Sequence, residues 1–545
     1  MITIKYNPSD LRYIFIQGDE VKLLEEHLNK IPPYMFLPSF NGIPRPEVFL
    51  NRIRSKNIYY CHSGLWREIV EFCKSKNIAV SGIDNNFKYR GMIPYEEFMD
   101  EVKSWKLNIS PRDYQLKAAW MILNYRQSLS QLATRAGKTL IAYIVFRYLL
   151  EHGAKKILMV VPSIQLVKQG VEDFKEYKEF FKTETVWAKS EYCDSANLTI
   201  GTYQSLVQRA DKKNKKYDPN FFKDYDVVCI DEAHHLVCKS INTILGLDFL
   251  KNVKIKFGFT GTLPKENTIE SFCCQSLMGP KIQDLSAKEL IDEGFLAEPI
   301  IKQIRINYDE DLTKDYIRFG EYLCSNDLNP KELLPKDQRS FTMKYKKILP
   351  VALRELRKRY DDISYKDYLI SLCKAKGSNL LMLEQMLVHN SEKHLQVIKD
   401  ILKQHNNNFI VFAHHTEYIS YIESELKKCF PERVILKITG STNIKKRTEI
   451  LKIMEENNNI ILVASYGCCG TGITFKNVAG GIFAQSFKSE IINKQSLGRL
   501  MLRNNEKDKF YLYDIVDIFP TKRIYLQGVA KIKTYKAEGY DVEIL

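Results

Sequence analysis

The chain reads Gln131-Leu132-Ala133-Thr134-Arg135-Ala136-Gly137-Lys138-Thr139-Leu140 just ahead of an apolar segment. Backbone N–H groups of such a small-residue loop can turn inward on a phosphate, and the positive end of the following helix favours the same anion. In this pattern the lysine reaches the β- and γ-phosphates of a nucleotide, and the next hydroxyl binds Mg²⁺. Lys138 and Thr139 occupy those places, while Leu132 stands where the pattern has its first glycine. Taken alone, the stretch is also compatible with an ordinary loop before a helix.

The length and composition of the chain indicate a large globular protein. At 545 residues it is too long for one hydrophobic core, and about three or four folding units are expected. Hydrophobic residues make up 45% and aromatic residues 12%, which is typical of an enzyme and argues against long disorder. The net charge of +15 predicts a polyanionic partner. A composition that is simply rich in lysine and asparagine is the alternative.

The sequence gives no sign of a membrane, a secretion signal or a metal cluster. No apolar run approaches the roughly 20 residues that a membrane span needs, and acidic and polar residues interrupt the first twenty. The 12 cysteines contain no C-x-x-C pair, so we expect reduced thiols with structural roles. These features favour a soluble protein of the cytoplasm, the host cytoplasm if it is viral, without a membrane partner.

Short continuous apolar runs alternate with helical segments from Pro111 onward. Continuous runs are typical of parallel strands that helices cover on both faces. A first set lies at 156–162, 198–201, 227–230 and 256–259, and a second at 408–412, 434–438, 460–463, 481–483 and 510–513. The pattern predicts an α/β fold with two tandem units.

These patterns predict five segments in the chain. They are a small α+β domain at 1–100, a first α/β unit at 101–304, a helical connector at 305–392, a second α/β unit at 393–520 and a helical tail at 521–545. The first domain contains the basic cluster 52–56, which either touches a phosphate backbone or forms a solvated loop.

The connector has no strand pattern and contains two predicted helices, at 350–360 and 367–373. The first is strongly basic, with Arg354, Arg357, Lys358 and Arg359. A DNA-contacting insertion and a plain helical connector with a solvated face are both compatible with this pattern.

Two adjacent acidic residues, Asp231 and Glu232, follow the apolar run 227–230 and precede Ala233 and His234. Carboxylates at the carboxyl end of a parallel strand face the crevice in which such sheets bind ligands. We expect Asp231 to hold Mg²⁺ and Glu232 to polarise the attacking water. An isolated acidic pair is common on surfaces, but one at this position downstream of a Lys138-Thr139 loop indicates chemistry.

Further polar groups lie before and after this pair. Gln115 follows Arg112 ahead of the phosphate loop, and its amide can both accept from and donate to adenine. The turn at 260–262 reads Thr-Gly-Thr after another apolar run and is a candidate relay between the nucleotide and the second unit.

The second unit ends in 495–503, with Gln495, Arg499 and Arg503. Arginines presented from a facing domain can neutralise charge on a transferring γ-phosphate. Before this stretch, a glycine-broken turn with Gly470 and Gly472 follows the run 460–463, and its amides could grip a nucleotide or a nucleic-acid phosphate.

The order of these motifs between residues 105 and 520 resembles that of the superfamily 2 helicases and translocases. The resemblance implies two RecA-like lobes, ATP and Mg²⁺ as cofactors, and DNA as a partner. It implies the following roles: catalytic for Glu232, Gln495, Arg499 and Arg503; nucleotide contacts for Arg112, Gln115, Thr134, Ala136, Gly137, Lys138, Thr139, Gly470 and Gly472; metal ligands for Thr139 and Asp231.

Within the family, the chain looks most like a phage helicase of recombination and replication. That resemblance implies unwinding or branch migration of forks, Holliday junctions and R-loops by a monomer that single-strand-binding or replication proteins recruit. The alternatives are an RNA helicase, the motor subunit of a restriction system, and a clamp that binds ATP without productive turnover.

Two features depart from the family pattern. The family spacing is Gly-Arg-x-x-Arg, but Leu502 occupies the last place and Arg503 comes one residue late. Offsets of three and four lie on one face of a helix, so we expect Arg503 to substitute. The connector is also longer than the resemblance implies.

Overall fold

Three β-sheets, one of five strands and two of seven, organise the described part of the chain. In this computed structural model the chain divides into two units, Met1–Leu290 and Ile291–Leu545, and each is treated by itself. Every described helix is too short or too polar to cross a membrane. The structure describes residues 1–7, 9–30, 47–56, 58–82, 93–187, 195–218, 220–237, 241, 244, 251, 253–308, 392–469, 475, 477–485, 490–503, 508–518 and 523–545.

The amino-terminal sheet forms from strands whose residues alternate between buried and more exposed positions. Its elements are β1 (Ile2–Tyr6), β2 (Tyr13–Gly18), β3 (Asn51–Ile53), β4 (Ile58–His62), β5 (Val80–Ser81), α1 (Val21–Leu28) and α2 (Trp66–Ser75). The strand order is β3-β4-β2-β1-β5, with only the β1–β5 pair parallel. The small α+β domain predicted at the start of the chain is confirmed.

The first seven-stranded sheet contains the phosphate-loop motif. Its strands are β6 (Gln127–Leu132), β7 (Ile157–Val161), β8 (Thr183–Val186), β9 (Leu198–Thr202), β10 (Val227–Asp231), β11 (Ile255–Thr260) and β12 (Lys281–Leu285). The order is β12-β6-β11-β10-β7-β9-β8, and all neighbours are parallel. Every residue of β7, β9 and β11 is buried, as the continuous apolar runs predict.

Helices cover both faces of this sheet. They are α3 (Tyr95–Ser104), α4 (Asp113–Asn124), α5 (Lys138–Glu151), α6 (Ile164–Tyr177), α7 (Tyr203–Ala210), α8 (Ile269–Met278) and α9 (Ala287–Asp292). On one face Phe146 of α5 packs against Phe257 of β11, with ring centroids 5.9 Å apart. On the other face a single core contains Leu206 of α7, Met278 of α8, and Phe221 from the segment between α7 and β10.

The second seven-stranded sheet is also parallel throughout. Its strands are β13 (Glu298–Asn307), β14 (Phe409–Ala413), β15 (Val434–Ile438), β16 (Ile460–Ser465), β17 (Gly480–Phe483), β18 (Lys509–Ile518) and β19 (Val542–Ile544). The order is β15-β16-β14-β17-β18-β13-β19. Its helices are α10 (Glu392–Lys403), α11 (Thr416–Cys429), α12 (Ile444–Glu456), α13 (Tyr466–Cys469), α14 (Glu490–Leu500) and α15 (Arg523–Ala537). The predicted pair of parallel α/β units is thereby confirmed.

The expected boundary between the two units near residue 304 is wrong. Strand β13 pairs with β18 over ten residues, from Glu298 to Asn307, so this segment belongs to the second sheet. Polar residues alternate with apolar ones along β13, and this alternation hides it from a search for continuous apolar runs. The tail is helical as predicted, but it then adds β19 to the sheet beside β13.

Most of the predicted connector lies outside the described residues, including its basic helix at 350–360 and its second helix at 367–373. The described residues on either side of 309–391 meet at one carboxylate. Asp517 Oδ1 lies 2.6 Å from the Tyr308 hydroxyl and 2.8 Å from His394 Nδ1. Lys393 Nζ also donates to the Asn307 carbonyl at 2.6 Å. The end of β13 and the start of α10 are therefore held together at the second sheet by hydrogen bonds.

The amino-terminal domain packs on helix α8 of the first parallel sheet. Phe272 of this helix is fully buried and belongs to the core of the amino-terminal domain, where Phe49 meets its ring edge-on at 5.7 Å. Cys274 and Met278 of the same helix belong to the core of the parallel sheet. Gly64 allows the close approach, because a Cβ there would lie 2.0 Å from the Gln275 carbonyl oxygen. One helix thus serves two hydrophobic cores.

Polar contacts place this interface at the amino ends of the parallel strands. Gln127, at the start of β6, donates to the Ser63 hydroxyl at 2.7 Å, and Arg67 donates to the carbonyl of Lys281 at the start of β12 at 3.0 Å. Lys256, at the start of β11, is only 5% exposed. Its burial, together with the Arg12 charge, lowers the pKa of Lys256 to about 8, although Asp10 opposes the shift.

Lys256→Met should stabilise the first unit at pH 7 by on the order of 1–3 kcal/mol, because folding then no longer buries a charge. The folded pKa of Lys256 is lowered, so its destabilising effect is complete below about pH 8 and fades as pH rises towards the unfolded pKa. Most of the gain should therefore disappear by about pH 10. All four tryptophans lie in the first unit, so their fluorescence during urea unfolding reports on it alone.

Lys254→Met is the matched control, since its side chain is 68% exposed two residues earlier. It should change the free energy of unfolding by less than about 0.5 kcal/mol at either pH. A gain from Lys256→Met of equal size at both pH values would contradict the assignment of a buried charge.

Candidate nucleotide-binding site

The phosphate loop connects the carboxyl end of β6 to the first turn of α5. Gly137 has φ of +76°, in the left-handed region, and a Cβ there would lie 2.1 Å from Gln115 Nε2. Glycine is therefore required both for the backbone conformation and for space. Because α5 begins at Lys138, the positive end of its dipole lies at the loop.

Gln115 fastens this loop to helix α4. Its Oε1 accepts from the Arg112 backbone N–H at 2.9 Å, and its Nε2 donates to the Ala136 carbonyl at 3.0 Å. The side chain is buried. A primary amide has two N–H groups and two acceptor positions, so one of each remains for an adenine ring. The predicted adenine contact is compatible with this geometry, and the tether to Ala136 is an additional role.

The acidic pair lies at the carboxyl end of β10, opposite the lysine of the loop. Lys138 Nζ is 3.8 Å from Glu232 Oε1, and both side chains are largely buried. Burial and the neighbouring Glu232 charge raise the pKa of Asp231 to about 6. Two carboxylates crowded in this way favour a cation, and oxygen ligands suit Mg²⁺. The donor set formed by Thr139, Asp231 and Glu232 therefore fits a magnesium nucleotide.

Glu232 is also bonded towards the neighbouring strand. Its φ of +52° is unusual for a residue other than glycine and indicates local strain. Its Oε2 lies 3.4 Å from His234 Nδ1 and 3.5 Å from Thr260 Oγ1, and His234 Nδ1 lies 2.9 Å from Thr260 Oγ1. These contacts join the acidic pair to the 260–262 turn at the end of β11.

Strand order explains why these residues meet. Strands β6, β11 and β10 are successive neighbours, so their carboxyl ends form one edge. The 260–262 turn also approaches the loop, since a Cβ on Gly261 would lie 3.5 Å from Thr134 Oγ1. At this edge the structure brings together the predicted residues of the first unit: Arg112, Gln115, Thr134, Ala136, Gly137, Lys138, Thr139, Asp231 and Glu232.

Two residues at this edge carry no sequence motif that would reveal them. Gln131 accepts from the Leu263 N–H at 2.9 Å and donates to Asp284 at 2.8 Å, which ties β6 to the segment after β11 and to β12 itself. Tyr177, at the end of α6, shares a hydrogen bond with Thr139, while burial raises the pKa of its phenol. The partners of both residues are distant in sequence, so the local pattern gives no signal of these contacts.

In the second unit, Gln495 and Arg499 lie one turn apart on α14, and both side chains are partly buried. Helix α14 ends at Leu500, and Leu502 forms an antiparallel bridge with Leu296. The expectation that Arg503 shares a helical face with Arg499 is therefore wrong. Arg503 instead pairs with Asp508 at 2.8 Å and donates to the Gly294 carbonyl. Gly470 and Gly472 lie outside the described residues.

Comparison with known proteins identifies this architecture. A family model described as "Type III restriction enzyme, res subunit" matches residues 108–265, and one described as "Helicase conserved C-terminal domain" matches residues 393–503. The ATP-dependent DNA helicase uvsW of Enterobacteria phage T4 is 23% identical over 509 residues, covering 88% of this chain and 86% of that protein. The chain thus carries both domains of a superfamily 2 helicase and is similar to UvsW along most of its length. Its domain composition is that of an ATP-hydrolysing helicase whose substrate is nucleic acid.

Solved structures share the fold of the helicase. The DNA-bound ATP-dependent Type ISP restriction-modification enzyme LlaBIII aligns with a TM-score of 0.53 at 15% identity, covering 80% of this chain and 31% of that one. Dbp5 of S. cerevisiae, bound to RNA and ADP BeF3, aligns with a TM-score of 0.51 at 12% identity, covering 84% of this chain and 94% of that one. At these identities the likeness concerns the fold alone.

Gly137→Ala should reduce ATP hydrolysis by at least about tenfold, because the new Cβ displaces Gln115 and strains a left-handed residue by about 1–2 kcal/mol. Gly153→Ala is the matched control at the other end of α5. Its φ of +89° carries the same backbone cost, but nothing lies within 4 Å of the added Cβ. The control should lose stability and keep its turnover. Steady-state ATPase assays on the two variants measure this difference in turnover. Wild-type turnover by Gly137→Ala would contradict the proposed tether.

Proposed function

We propose that the helicase uses ATP to unwind or branch-migrate branched DNA, such as forks, Holliday junctions and R-loops, in phage recombination and replication. The observation that carries the proposal is the match along 88% of the chain to a T4 protein named as an ATP-dependent DNA helicase. The net charge of +15 supports a polyanionic substrate.

The nucleotide would be held at the carboxyl edge of the first parallel sheet. Lys138 would contact the β- and γ-phosphates beside the loop N–H groups, and Gln115 with Arg112 would receive the adenine end. Thr139 and Asp231 would hold Mg²⁺, which when bound supplies charge neutralisation on the phosphates. Support comes from the short approach of Lys138 to Glu232 and from the crowding that raises the pKa of Asp231.

Glu232 is proposed as the group that orients and polarises the attacking water. One of its oxygens faces Lys138, and the other faces His234 and Thr260. A carboxylate held from two sides keeps a fixed orientation, which general-base catalysis requires. Because His234 and Thr260 also bond to each other, a change at Glu232 would reach the 260–262 turn and, through the following residues, helix α8.

The second unit is proposed to complete the site with Arg499, and Gln495 one turn before it on α14. An arginine supplied from a facing domain stabilises the charge that develops on the γ-phosphate. Gly470 and Gly472 remain proposed contacts of the nucleotide or of a nucleic-acid phosphate. Arg503 is the weaker candidate, since Asp508 and the Gly294 carbonyl already engage its guanidinium.

The nucleic-acid track is proposed to run along the carboxyl edge of the first parallel sheet. Helices α6 and α7 begin there with side-chain caps, Ser163 accepting from the Leu166 N–H and Thr202 from the Ser205 N–H. Helix starts favour phosphate oxygens. We further propose that the amino-terminal domain contacts DNA through Arg52, Arg54 and Lys56, that the helicase is a monomer, and that single-strand-binding or replication proteins recruit it.

A second candidate is the motor of a restriction system. The first family model favours it, because that model describes a subunit of a restriction enzyme. An RNA helicase with the same ATP-driven motor is a further candidate. These candidates share the nucleotide site and differ in the nucleic acid on which the motor moves.

A substrate panel tests the proposal. ATP consumption and strand products are followed together on a fork, a four-way junction, an R-loop, a linear duplex and an RNA duplex, for wild type, Lys138→Ala and Glu232→Gln. Branched DNA should stimulate the wild type most, and each variant should lose about 10²-fold or more in turnover. Products from the RNA duplex alone would support an RNA helicase. Stimulation by linear DNA without strand separation would support a restriction motor.

Arg499→Ala and Arg503→Ala form a matched pair within the second unit. Arg499→Ala should lower DNA-stimulated turnover by at least about 10²-fold, as loss of an arginine finger does. Arg503→Ala should lower it by no more than about twofold, because a pair with an exposed Asp508 contributes little. Single-turnover ATP hydrolysis separates chemistry from DNA binding. The reverse order of effects would make Arg503 the contributing arginine.

A further inference from the structure

A loop of lysines follows helix α7 in the first unit. Residues 211–217 read Asp-Lys-Lys-Asn-Lys-Lys-Tyr and are called the lysine loop here. All four lysines (Lys212, Lys213, Lys215 and Lys216) are exposed. Within the described part of the chain, none of the four ammonium groups has a carboxylate partner. Other exposed lysines, such as Lys427 and Lys428, are paired with Glu423 and Glu425 at 2.8 and 2.6 Å.

The loop has a defined backbone. Asp211 Oδ1 accepts from the Lys213 N–H at 2.9 Å, and Asn214 Oδ1 accepts from the Lys216 N–H at 3.0 Å. The Asp218 N–H donates to the Arg209 carbonyl at 3.0 Å and so closes the loop onto the last turn of α7. These bonds hold the backbone of the loop, and they engage Asp211 Oδ1 with a backbone N–H. The loop therefore presents its four charges with little ordering cost.

Buried aromatic residues anchor the loop to the first parallel sheet. Phe221 and Phe222 follow it, belong to the core of the sheet and are 4% and 6% exposed. The guanidinium of Arg209, just before the loop, lies 4.9 Å from the centre of the Phe221 ring. Both ends of the loop are thus fixed to the ATP-binding unit, and a force on the lysines would be transmitted to this sheet.

Topology puts the loop away from the nucleotide edge. Helix α7 starts at the carboxyl end of β9, and its eight residues run back about 12 Å towards the amino ends of the strands. After the loop, the Asp226 N–H donates to the Lys156 carbonyl at 3.0 Å, just before β7 and β10 begin. Helices α7 and α8 share one core on one face of the sheet. The lysine loop and the amino-terminal domain are therefore on the same face of the first unit.

We propose that the lysine loop binds the phosphate backbone of a duplex arm of the nucleic acid, away from the strand on which the motor moves. Four unpaired ammonium groups on a preformed loop match the dense phosphates of a duplex. Surfaces for single strands interleave aromatic platforms with basic residues, whereas this loop has Tyr217 alone at its end. The proposal rests on the nucleic-acid-binding part of the proposed function and is independent of strand separation.

Charge neutralisation of the loop provides the test. The loop variant carries Lys212→Gln, Lys213→Gln, Lys215→Gln and Lys216→Gln. A control variant of equal charge carries Lys117→Gln, Lys175→Gln, Lys533→Gln and Lys536→Gln, four exposed lysines scattered over the chain. Without ATP, fluorescence anisotropy measures the Kd for a blunt DNA duplex and for a single strand of equal length, between about 50 and about 200 mM salt.

For the duplex, the slope of log Kd against log salt should fall by about three to four in the loop variant, roughly 0.9 per lost phosphate contact. It should change little in the control variant, and replacing the four lysines by arginine should retain it. Single-strand affinity and ATPase activity with a single strand should remain at the level of the control.

A duplex slope equal to that of the control would overturn the proposal and leave the proposed function intact. An equal loss of affinity for the duplex and for the single strand would also overturn it. The loop would then attract any nucleic acid through its charge alone, without a preference for a duplex. A wild type that binds neither DNA would overturn this proposal and the proposed DNA substrate together. Unchanged thermal unfolding of the loop variant shows that the fold is preserved.

Discussion

The structure of the first unit depends on a crowded pair of carboxylates at the end of one buried strand. Asp231 and Glu232 are held beside Lys138 in a position largely closed to water, where like charges repel strongly. Such an arrangement is tolerated only if cationic and hydrogen-bonding groups surround it. The lysine of the phosphate loop, His234 and Thr260 meet this need from three different chain segments. The order of the strands places these compensating groups around the pair.

The second organising feature is helix α8, which belongs to two cores at once. Phe272 is buried in the amino-terminal domain, whereas Cys274 and Met278 are buried under the parallel sheet. The amino-terminal domain consequently buries this side against helix α8. Its position is therefore set by the ATP-binding unit. Because α8 follows the 260–262 turn, the same segment links the nucleotide edge to a domain at the opposite edge of the sheet.

The sequence predicts correctly those strands and helices whose pattern of apolar residues reflects which of their faces are buried. Continuous apolar runs correctly indicate β7, β9, β10 and β11, since strands buried on both faces carry no polar alternation. Strand β6 escapes this criterion because Ser128 and Ser130 are buried without being apolar, each 1% exposed. Alternating residues hide β13, so the boundary near 304 is misplaced. The pattern also cannot reveal that α14 stops at Leu500, because a helix end depends on the bridge between Leu502 and Leu296.

For the site, motif spacing predicts the chemistry of the residues but not their mutual contacts. Lys138, Asp231 and Glu232 follow from local residue order, while the tether from Gln115 to Ala136 and the position of Tyr177 depend on how distant segments pack. Contacts of that kind leave no periodic trace, because each partner is locally an ordinary polar or aromatic residue. The candidate residues of the site are therefore visible in the sequence, whereas the groups that hold them in place become visible only in the structure.

The carboxylate shared by the residues on either side of 309–391 has a consequence for how the second unit is held together. Tyr308 and His394 meet at Asp517, and β13 before the segment is paired along its whole length with β18. Asp517 therefore fixes the distance between the point where the described chain leaves β13 and the point where it returns at α10. Loss of any one of these three side chains would loosen both points at once, although Tyr308 and His394 are 86 residues apart in the sequence.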